Sequence, residues 1–362
     1  MLHIRQIQLV QFKNYSSATF PFTERVIGIC GANGIGKTNL LDAIYYLCFT
    51  KSYFNSSDQM NVQQGMQGMR IAANLTVNEQ PITITAIIRE NGKKEITCDG
   101  IAYKKLALHI GKFPAVMIAP DDIAIINETS DLRRKWLDTL ISQINPTYLL
   151  QLIQYNKLLQ QRNSLLKHAA ERGVLNNDVL EILDHQIAPL ADAIYDTRKQ
   201  LLQRLIPAIG EQYQHIAGGA AEPISLSYES HLHTQNMSSL LLQNKQRDTY
   251  MQRTGSGIHK DDIGIFMHGQ LFKQIASQGQ KKSMLFAIKL AEYNLLQQQK
   301  GFAPILLLDD VFEKLDATRM QQLLHSVCIQ HQGQVFITDT HSERLLQHLQ
   351  TIGITPQIIT LT

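Results

Sequence analysis

Residues Gly31–Thr38 read "GANGIGKT", a full match to the pattern G-x-x-x-x-G-K-[ST]. The apolar run "RVIGIC" (25–30) precedes the stretch, and Leu40, Leu41, Ile44 and Leu47 follow it at helical spacing. A strand, a glycine-rich turn and a helix start in this order aim backbone N–H groups and the positive end of a helix at one point, the arrangement that cradles phosphates. Gly31, Gly34 and Gly36 let the backbone wrap without side-chain collisions, while Ala32, Asn33 and Ile35 complete the loop. Lys37 is the expected point charge for β- and γ-phosphates, and the Thr38 hydroxyl the expected ligand for Mg²⁺. The sequence therefore predicts a nucleoside triphosphate site.

A second acidic element lies far downstream in "ILLLDDVFEKLD" (305–316). An apolar strand ending in Asp309 is the usual place for a carboxylate that holds Mg²⁺ through water. Asp310 stands where a general base polarises the attacking water, so Asp310 and Lys37 are the expected catalytic pair. Adjacent strand residues point to opposite faces, and the two acids need not share one job. Alone, two acids after a buried strand read as a cap; the upstream phosphate loop favours the functional reading.

A third stretch, "SQGQKKS" (277–283), is polar and lies directly before Met284, Ile288, Ala291 and Leu295, which are spaced by three or four residues. It opens a helix, and in isolation it reads as a solvated helix start.

Around these motifs the chain has 362 residues, 44% of them hydrophobic and 18% charged, the balance of a globular protein with a real core. Its 34 basic and 31 acidic residues leave a net charge of +3, which excludes a uniformly basic binder and allows a local basic patch. Cys30, Cys48, Cys98 and Cys328 are scattered without metal-ligand spacing and read as reduced thiols. "MLHIRQIQLVQF" has no apolar core of a signal peptide, and no apolar run reaches the roughly 20 residues a membrane helix needs. A cytoplasmic location without a membrane partner is expected.

The first hundred residues alternate like strands, with a hairpin signal at Asn91-Gly92, and "FPAVMIAP" (113–120) adds a buried strand. From about Asp131 the period becomes helical. Two antiparallel helices of roughly 20–28 residues are expected, with a kink or break at Pro189. "IAGGAAEPIS" (216–225) reads as the return linker, after which strands and helices resume through "PILLLDD" and "QVFITDT". The expected division is a head in two parts, 1–125 and 218–362, interrupted by a helical lobe at 126–217.

The order of phosphate loop, helical insertion, "SQGQKKS", "LLLDDVFEKLD" and "VFITDTH" resembles that of the ABC-type ATPases. Within them the chain is similar to the RecF family of bacterial recombinational-repair proteins. "PDDIAIINETSDLRRKWLD", "GIHKDDIGIFMHG", "ASQGQKKSMLFAIKLAE" and "LLLDDVFEKLDATRMQQLL" carry the likeness across almost the whole chain. There are departures: Ile258 stands where the family has proline, Lys260 and Trp136 replace arginine and phenylalanine, and "INETSDLRR" lacks Gly-Ser-Pro. No glutamine follows "FPAVMIAP", so the role of a Mg²⁺- and water-sensing residue is left open, and neither Asp121 nor Asp122 is assigned to it.

The resemblance implies an α/β fold: an ABC-type ATPase head, a mixed sheet with flanking helices, carrying an inserted antiparallel helical lobe. It implies ATP and Mg²⁺ as cofactors, and an ATP-dependent homodimer in which Ser277, Gly279 and Gln280 of one copy meet the nucleotide on the other. The dimer would clamp duplex DNA at single-strand/duplex junctions, hydrolyse ATP slowly, and with RecR and RecO help load RecA at gaps during DNA damage repair. Candidate DNA contacts are Arg133, Arg134 and Lys135, whose place at the positive end of a helix calls for phosphate or carboxylate partners. Lys93-Lys94 and Lys104-Lys105 read as solvated charges, His259 as a contact or a structural histidine, and Lys13 and Tyr15 as strand-edge residues or neighbours of the adenine or ribose. The alternatives are an SMC-like chromosome-maintenance ATPase, for which the helices are short, and the nucleotide-binding subunit of a membrane transporter, which leaves the R-R-K-W-L-D and H-K-D-D segments without a purpose.

Overall fold

Alternating side chains build the first sheet, and one irregularity sets its inner face. Strand β1 (Leu2–Phe12) buries Leu2 and Ile4, then switches parity to bury Ile7 and Leu9. The register against β4 shifts between Ile4 and Gln6, so a bulge changes which residues face inward. After β1 come β2 (Tyr15–Pro21), β3 (Val26–Cys30), helix α1 (Lys37–Phe49), β4 (Met69–Val77), β5 (Gln80–Ile88), β6 (Lys94–Cys98), β7 (Ile101–Ala102) and β8 (Ala115–Ile118). The antiparallel sheet has the order β2-β1-β4-β5-β6-β7. The expected hairpin joins β5 to β6, with Gly92 at φ 74° and its N–H donating to the Arg89 carbonyl at 2.8 Å.

Helices follow: α2 (Ala124–Asn127), α3 (Ser130–Ile144), α4 (Pro146–Arg172) and α5 (Asn177–Ala217). The remainder is β9 (Ile224–Glu229), α6 (Met237–Met251), β10 (Asp262–Met267), β11 (Gln270–Leu271), α7 (Phe272–Ile275), α8 (Gln278–Lys300), β12 (Ile305–Leu308), α9 (Ala317–His325), β13 (Val335–Asp339), α10 (Ser342–Thr351) and β14 (Gln357–Thr360). The computed structural model describes residues 1–217, 222–310 and 317–362. Much of the expected linker (218–221) and the "VFEKLD" stretch (311–316) lie outside the described residues.

The second sheet is parallel, in the order β14-β3-β13-β12-β8. Its strands β3, β8, β12 and β13 are buried at every residue, which is why β3, β8 and β12 read as unbroken apolar runs rather than alternating ones. Helix α1 is buried around nearly its whole circumference, beyond the single face formed by Leu40, Leu41, Ile44 and Leu47. It shares one core with β1, β4 and β5 of the antiparallel sheet and with β8 and β13 of the parallel one. A helix buried on nearly all sides is a core element, and the glycine loop runs directly into its first turn.

The chain divides into two units: Met1–Asp122, Gln212–Ala220 and Lys282–Thr362 form the first, Ile123–Glu211 and Ala221–Lys281 the second. Residues 221–281 therefore group with the helices, whereas the sequence expectation placed them in the head. The reason is side-chain pairing that no periodicity announces. Strand β10 packs on α3, and two fully buried arginines tie the long helices to this segment. Arg162 of α4 binds Asp184, Asp248 and Thr254 at 2.6–2.9 Å. Arg198 of α5 reaches Asp138, the Asp261 carboxylate and the Ile258 carbonyl at 2.7–2.8 Å.

One helix differs from its expected length. Helix α5 runs 41 residues through both Pro189 and Pro207, roughly 60 Å at the α-helical rise. Each proline forfeits one backbone hydrogen bond without ending the helix, because Ile187, Ala191, Ile194 and Leu202 remain buried on one face. Among the described residues no helix is long and apolar enough to cross a membrane. The four cysteines are free thiols.

Candidate nucleotide site

Parallel strands present their carboxyl ends along one edge, and the expected site residues of the first unit collect there. Cys30 closes β3 opposite Asp339 of β13, and Leu308 closes β12 opposite Ile337 and Ile118. Gly31 follows directly from β3 and Asp309 directly from β12, so sheet register alone brings the glycine loop and the acidic pair to the same edge.

The loop needs its glycines for different reasons. Gly31 has φ 153°, and a Cβ there would stand 2.8 Å from the Leu361 carbonyl oxygen. Gly36 has φ 117°, and a Cβ would meet the Asn14 amide nitrogen at 2.5 Å. Lys37, the first residue of α1, is buried and curls back over the loop, donating to the carbonyls of Gly31 (2.8 Å) and Ala32 (3.1 Å).

Next to it the Thr38 hydroxyl donates to both Asp309 carboxylate oxygens, at 2.9 and 3.0 Å. Thr338 donates to the same carboxylate at 2.9 Å and accepts the Asp310 N–H at 2.8 Å. Asp309 is 4% exposed. Burial pushes its carboxyl above the ordinary carboxylate range and Asp310 adds to this, while Thr338, Thr38 and Lys37 oppose it. Asp310 has φ 44°, a left-handed conformation that costs a non-glycine residue on the order of 1 kcal/mol. A hydroxyl and a carboxylate within 3.0 Å fit a cation that takes few protein oxygens. Among the described residues no cluster of three or more His, Cys, Asp or Glu could hold a metal ion on its own.

Sequence reasoning missed Thr338 and Asn14. Thr338 is a fully buried hydroxyl directly after the apolar Val335, Phe336 and Ile337 of β13, and that break was the available signal. Asn14 sits in the β1–β2 turn and grips the glycine loop, donating to the Ile35 carbonyl at 2.9 Å and accepting from Asn39 at 2.7 Å. Beside it Tyr15 donates to the Gly36 carbonyl at 3.0 Å, and Lys13 pairs with the buried Asp42 of α1 at 2.6 Å. Lys13 and Tyr15 thus act on the loop's main chain and its helix.

The expected DNA contacts fare differently. Arg133 is buried against Asp262, and Arg134 is bound to Asp131 and to the Asp261 carbonyl, so carboxylate and carbonyl groups take the anionic role; Lys135 is exposed. Lys94 is not a solvated charge, since it pairs with Asp58 at 2.7 Å and donates to the Thr50 carbonyl, while Lys93, Lys104 and Lys105 are exposed. His259 is structural: Tyr155 lies at 2.7 Å from Nδ1 and the Thr254 carbonyl at 3.0 Å from Nε2. Asp122 is buried among Tyr53, the Ala119 N–H and Lys289.

Ser277, Gly279 and Gln280 lie in the second unit, at the start of α8. Ser277 N–H donates to the Gln280 side-chain oxygen at 2.7 Å, and Gln280 N–H donates to the Ser277 hydroxyl at 3.2 Å. This reciprocal pair is a capping box, so the expected solvated helix start is also a rigid one.

Residues 3–360 match the family model described as the RecF/RecN/SMC N terminal domain. The DNA replication and repair protein RecF of Flavobacterium johnsoniae is 42% identical over 343 residues, 95% of each chain. The chain belongs to the RecF family. Another member, from Parabacteroides distasonis, is 37% identical over 94% of this chain and 92% of its own. A solved structure of the recombination mediator protein RecF-ATP in the RecFOR pathway superposes with a TM-score of 0.86 at 31% identity, covering 94% of this chain and 92% of that one. The Smc head domain of Pyrococcus furiosus, at TM-score 0.54 and 16% identity, shares the fold alone. The RecF-family fold is thus an ATPase head of mixed sheets and helices, as the sequence leads one to expect.

Proposed function

We propose that the chain is an ATP-dependent DNA-binding protein of DNA replication and recombinational repair, switched between monomer and dimer by ATP. The observation that carries the reading is the hydrogen-bonded series Thr38–Asp309–Thr338–Asp310 beside the glycine loop. It supports separate roles for the two acids. Asp309, fixed by two hydroxyls, would hold Mg²⁺ with Thr38; when bound, Mg²⁺ neutralises charge on the β- and γ-phosphate oxygens. Asp310, held at a positive φ, would orient and deprotonate the attacking water.

Lys37 would exchange the Gly31 and Ala32 carbonyls for phosphate oxygens, and the main-chain N–H groups of Gly31–Gly36 would wrap the phosphate chain. Ser277, Gly279 and Gln280 would meet the γ-phosphate held by a second copy: the capping pair engages the Ser277 and Gln280 N–H groups and fixes the turn, so that the Ser277 hydroxyl hydrogen and the Gln278 and Gly279 N–H groups would donate. The closed dimer would clamp duplex DNA, with preference for single-strand/duplex junctions, and act with RecR and RecO in loading RecA. Hydrolysis would open it.

ATPase rate against protein concentration, with and without duplex DNA, tests this reading. The expected result is a specific activity that rises with concentration and rises further with DNA. A specific activity independent of both would refute it.

A further inference from the structure

Two segments that carry the family resemblance lie far apart in sequence: "RRKWLD" at 133–138 and "HKDD" at 259–262. In the structure they clasp each other. Arg133 sits in the first turns of α3, where a cation is disfavoured unless an anion is close. The anion is Asp262. Arg133 Nε and Nη2 donate to its two carboxylate oxygens at 2.6 and 2.9 Å, a fork-to-fork pair. The remaining nitrogen, Nη1, donates to the carbonyls of Ile125 and Glu128 at 3.0 and 3.1 Å, which ties the end of α2 into the same clasp. Next in sequence, Arg134 donates to the Asp261 carbonyl at 2.5 Å. Asp261 in turn accepts from Arg198 and Tyr228. Burial raises the Asp262 carboxyl, but Arg133 more than offsets it and holds the group below its ordinary value.

Stability does not explain so specific an arrangement. A largely buried ion pair is close to neutral against apolar residues of the same volume, because desolvation cancels most of the attraction. What the fork supplies is register, since one guanidinium binding four oxygens accepts a single placement of the chain. Asp262 is the first residue of β10, and its own carboxylate also accepts the Ile263 N–H at 2.7 Å. From there β10 runs six residues to the buried Met267, whose sulfur lies 4.0 Å from the Gln280 side-chain nitrogen. Helix α7 packs on β10 through the fully buried Phe272, and Ser277 follows two residues after it.

We propose that Arg133 is a positioning residue for the 277–280 segment: through Asp262 it sets the placement of β10, and through β10 and α7 the presentation of Ser277 to the nucleotide of a second copy. This role rests on the proposed ATP-switched dimer. It gives both segments one task, and it divides labour so that the clasp affects subunit association while the glycine loop of the same chain keeps its affinity for ATP.

The test uses the full-length chain, with ATP affinity followed by equilibrium dialysis and ATP-driven association by light scattering against protein concentration. Asp262→Asn removes the charge at constant shape; the double variant Arg133→Met with Asp262→Leu removes both charges together, so neither charge is left without its partner, and its folding is checked by circular dichroism. Both should bind ATP as the unaltered chain does, and both should need about tenfold more protein to associate, the usual size of a coupling between two sites. Asp262→Glu, which keeps a carboxylate, should recover most of that loss. If the folded double variant associates at the same concentration as the unaltered chain, the clasp is merely structural and the inference fails. Equal losses of ATP affinity and of association would overturn it as well. If the unaltered chain does not associate with ATP at all, the dimer reading itself has failed, a result distinct from either.

Discussion

Lys37 carries the first prediction, because its ammonium group is held over the glycine loop by two carbonyls, where the proposed phosphates would bind. Lys37→Met keeps the bulk and removes the charge; ATP affinity should fall and ATP-dependent DNA binding should vanish, whereas unchanged affinity in equilibrium dialysis would count against the phosphate-loop assignment. Asp309 and Asp310 differ in geometry, one fixed by Thr38 and Thr338 and the other held at φ 44°. Asp310→Asn should retain ATP and Mg²⁺ binding while slowing turnover by roughly 10²–10⁴-fold; Asp309→Asn should weaken the Mg²⁺-dependent part of binding. A magnesium titration in which both variants lose binding equally would show that the roles are wrongly divided. His259 gives a pH dependence. Burial, with the nearby cations Lys260 and Arg134, presses its pKa from 6.5 down to about 4. Between those values the unfolded chain binds more protons, so the contribution to stability is complete above the unfolded pKa and is lost as pH falls toward the folded one. At about pH 5 the loss is about 2 kcal/mol. Urea unfolding at about pH 7.5 and about pH 5 should show a smaller drop for His259→Gln than for the unaltered chain, and an identical drop would assign the effect elsewhere.

Among the elements, the β1–β2 turn and α1 form one device around the glycine loop. Asn14 holds Ile35 and Asn39, Tyr15 holds Gly36, and Lys13 reaches Asp42. Asn14→Ala should therefore loosen the loop and lower ATP affinity about tenfold, as loss of one or two such hydrogen bonds implies. Fluorescent-nucleotide titration checks this, and an unaltered dissociation constant would reduce the turn to a strand connection. The phosphate loop itself was legible in sequence because glycine placement, a preceding apolar strand and a following helix are local properties. So was the end of β12 at Asp309, since a strand buried on both faces is an unbroken apolar run. The Arg133–Asp262 pair was not, because 129 positions separate its members and no period connects them. Nor was the passage of α5 through Pro189, where burial of the flanking Ile187 and Ala191 outweighs the lost hydrogen bond. For the same reason sequence texture assigned residues 221–281 to the head, although buried arginines on α4 and α5 tie them to the helices.

In the proposed dimer of the whole molecule, a working ATP site takes its glycine loop from one copy and Ser277 from another. Family membership supports the ATPase head, and the capping box at Ser277 fixes the start of α8 in the second unit. Neither feature alone demands two copies. The decisive measurement is the ATPase rate of a mixture of Lys37→Met and Ser277→Arg chains, with duplex DNA, compared with each variant alone. Each variant alone should be inactive: one lacks its loop charge, and the other confronts the nucleotide with an arginine. Mixed, they should regain activity, up to one composite site per dimer, formed by the intact loop of the Ser277→Arg chain and the intact Ser277 of the Lys37→Met chain. A mixture as inactive as its components, or a Ser277→Arg chain that associates and hydrolyses ATP normally on its own, would contradict the two-copy mechanism.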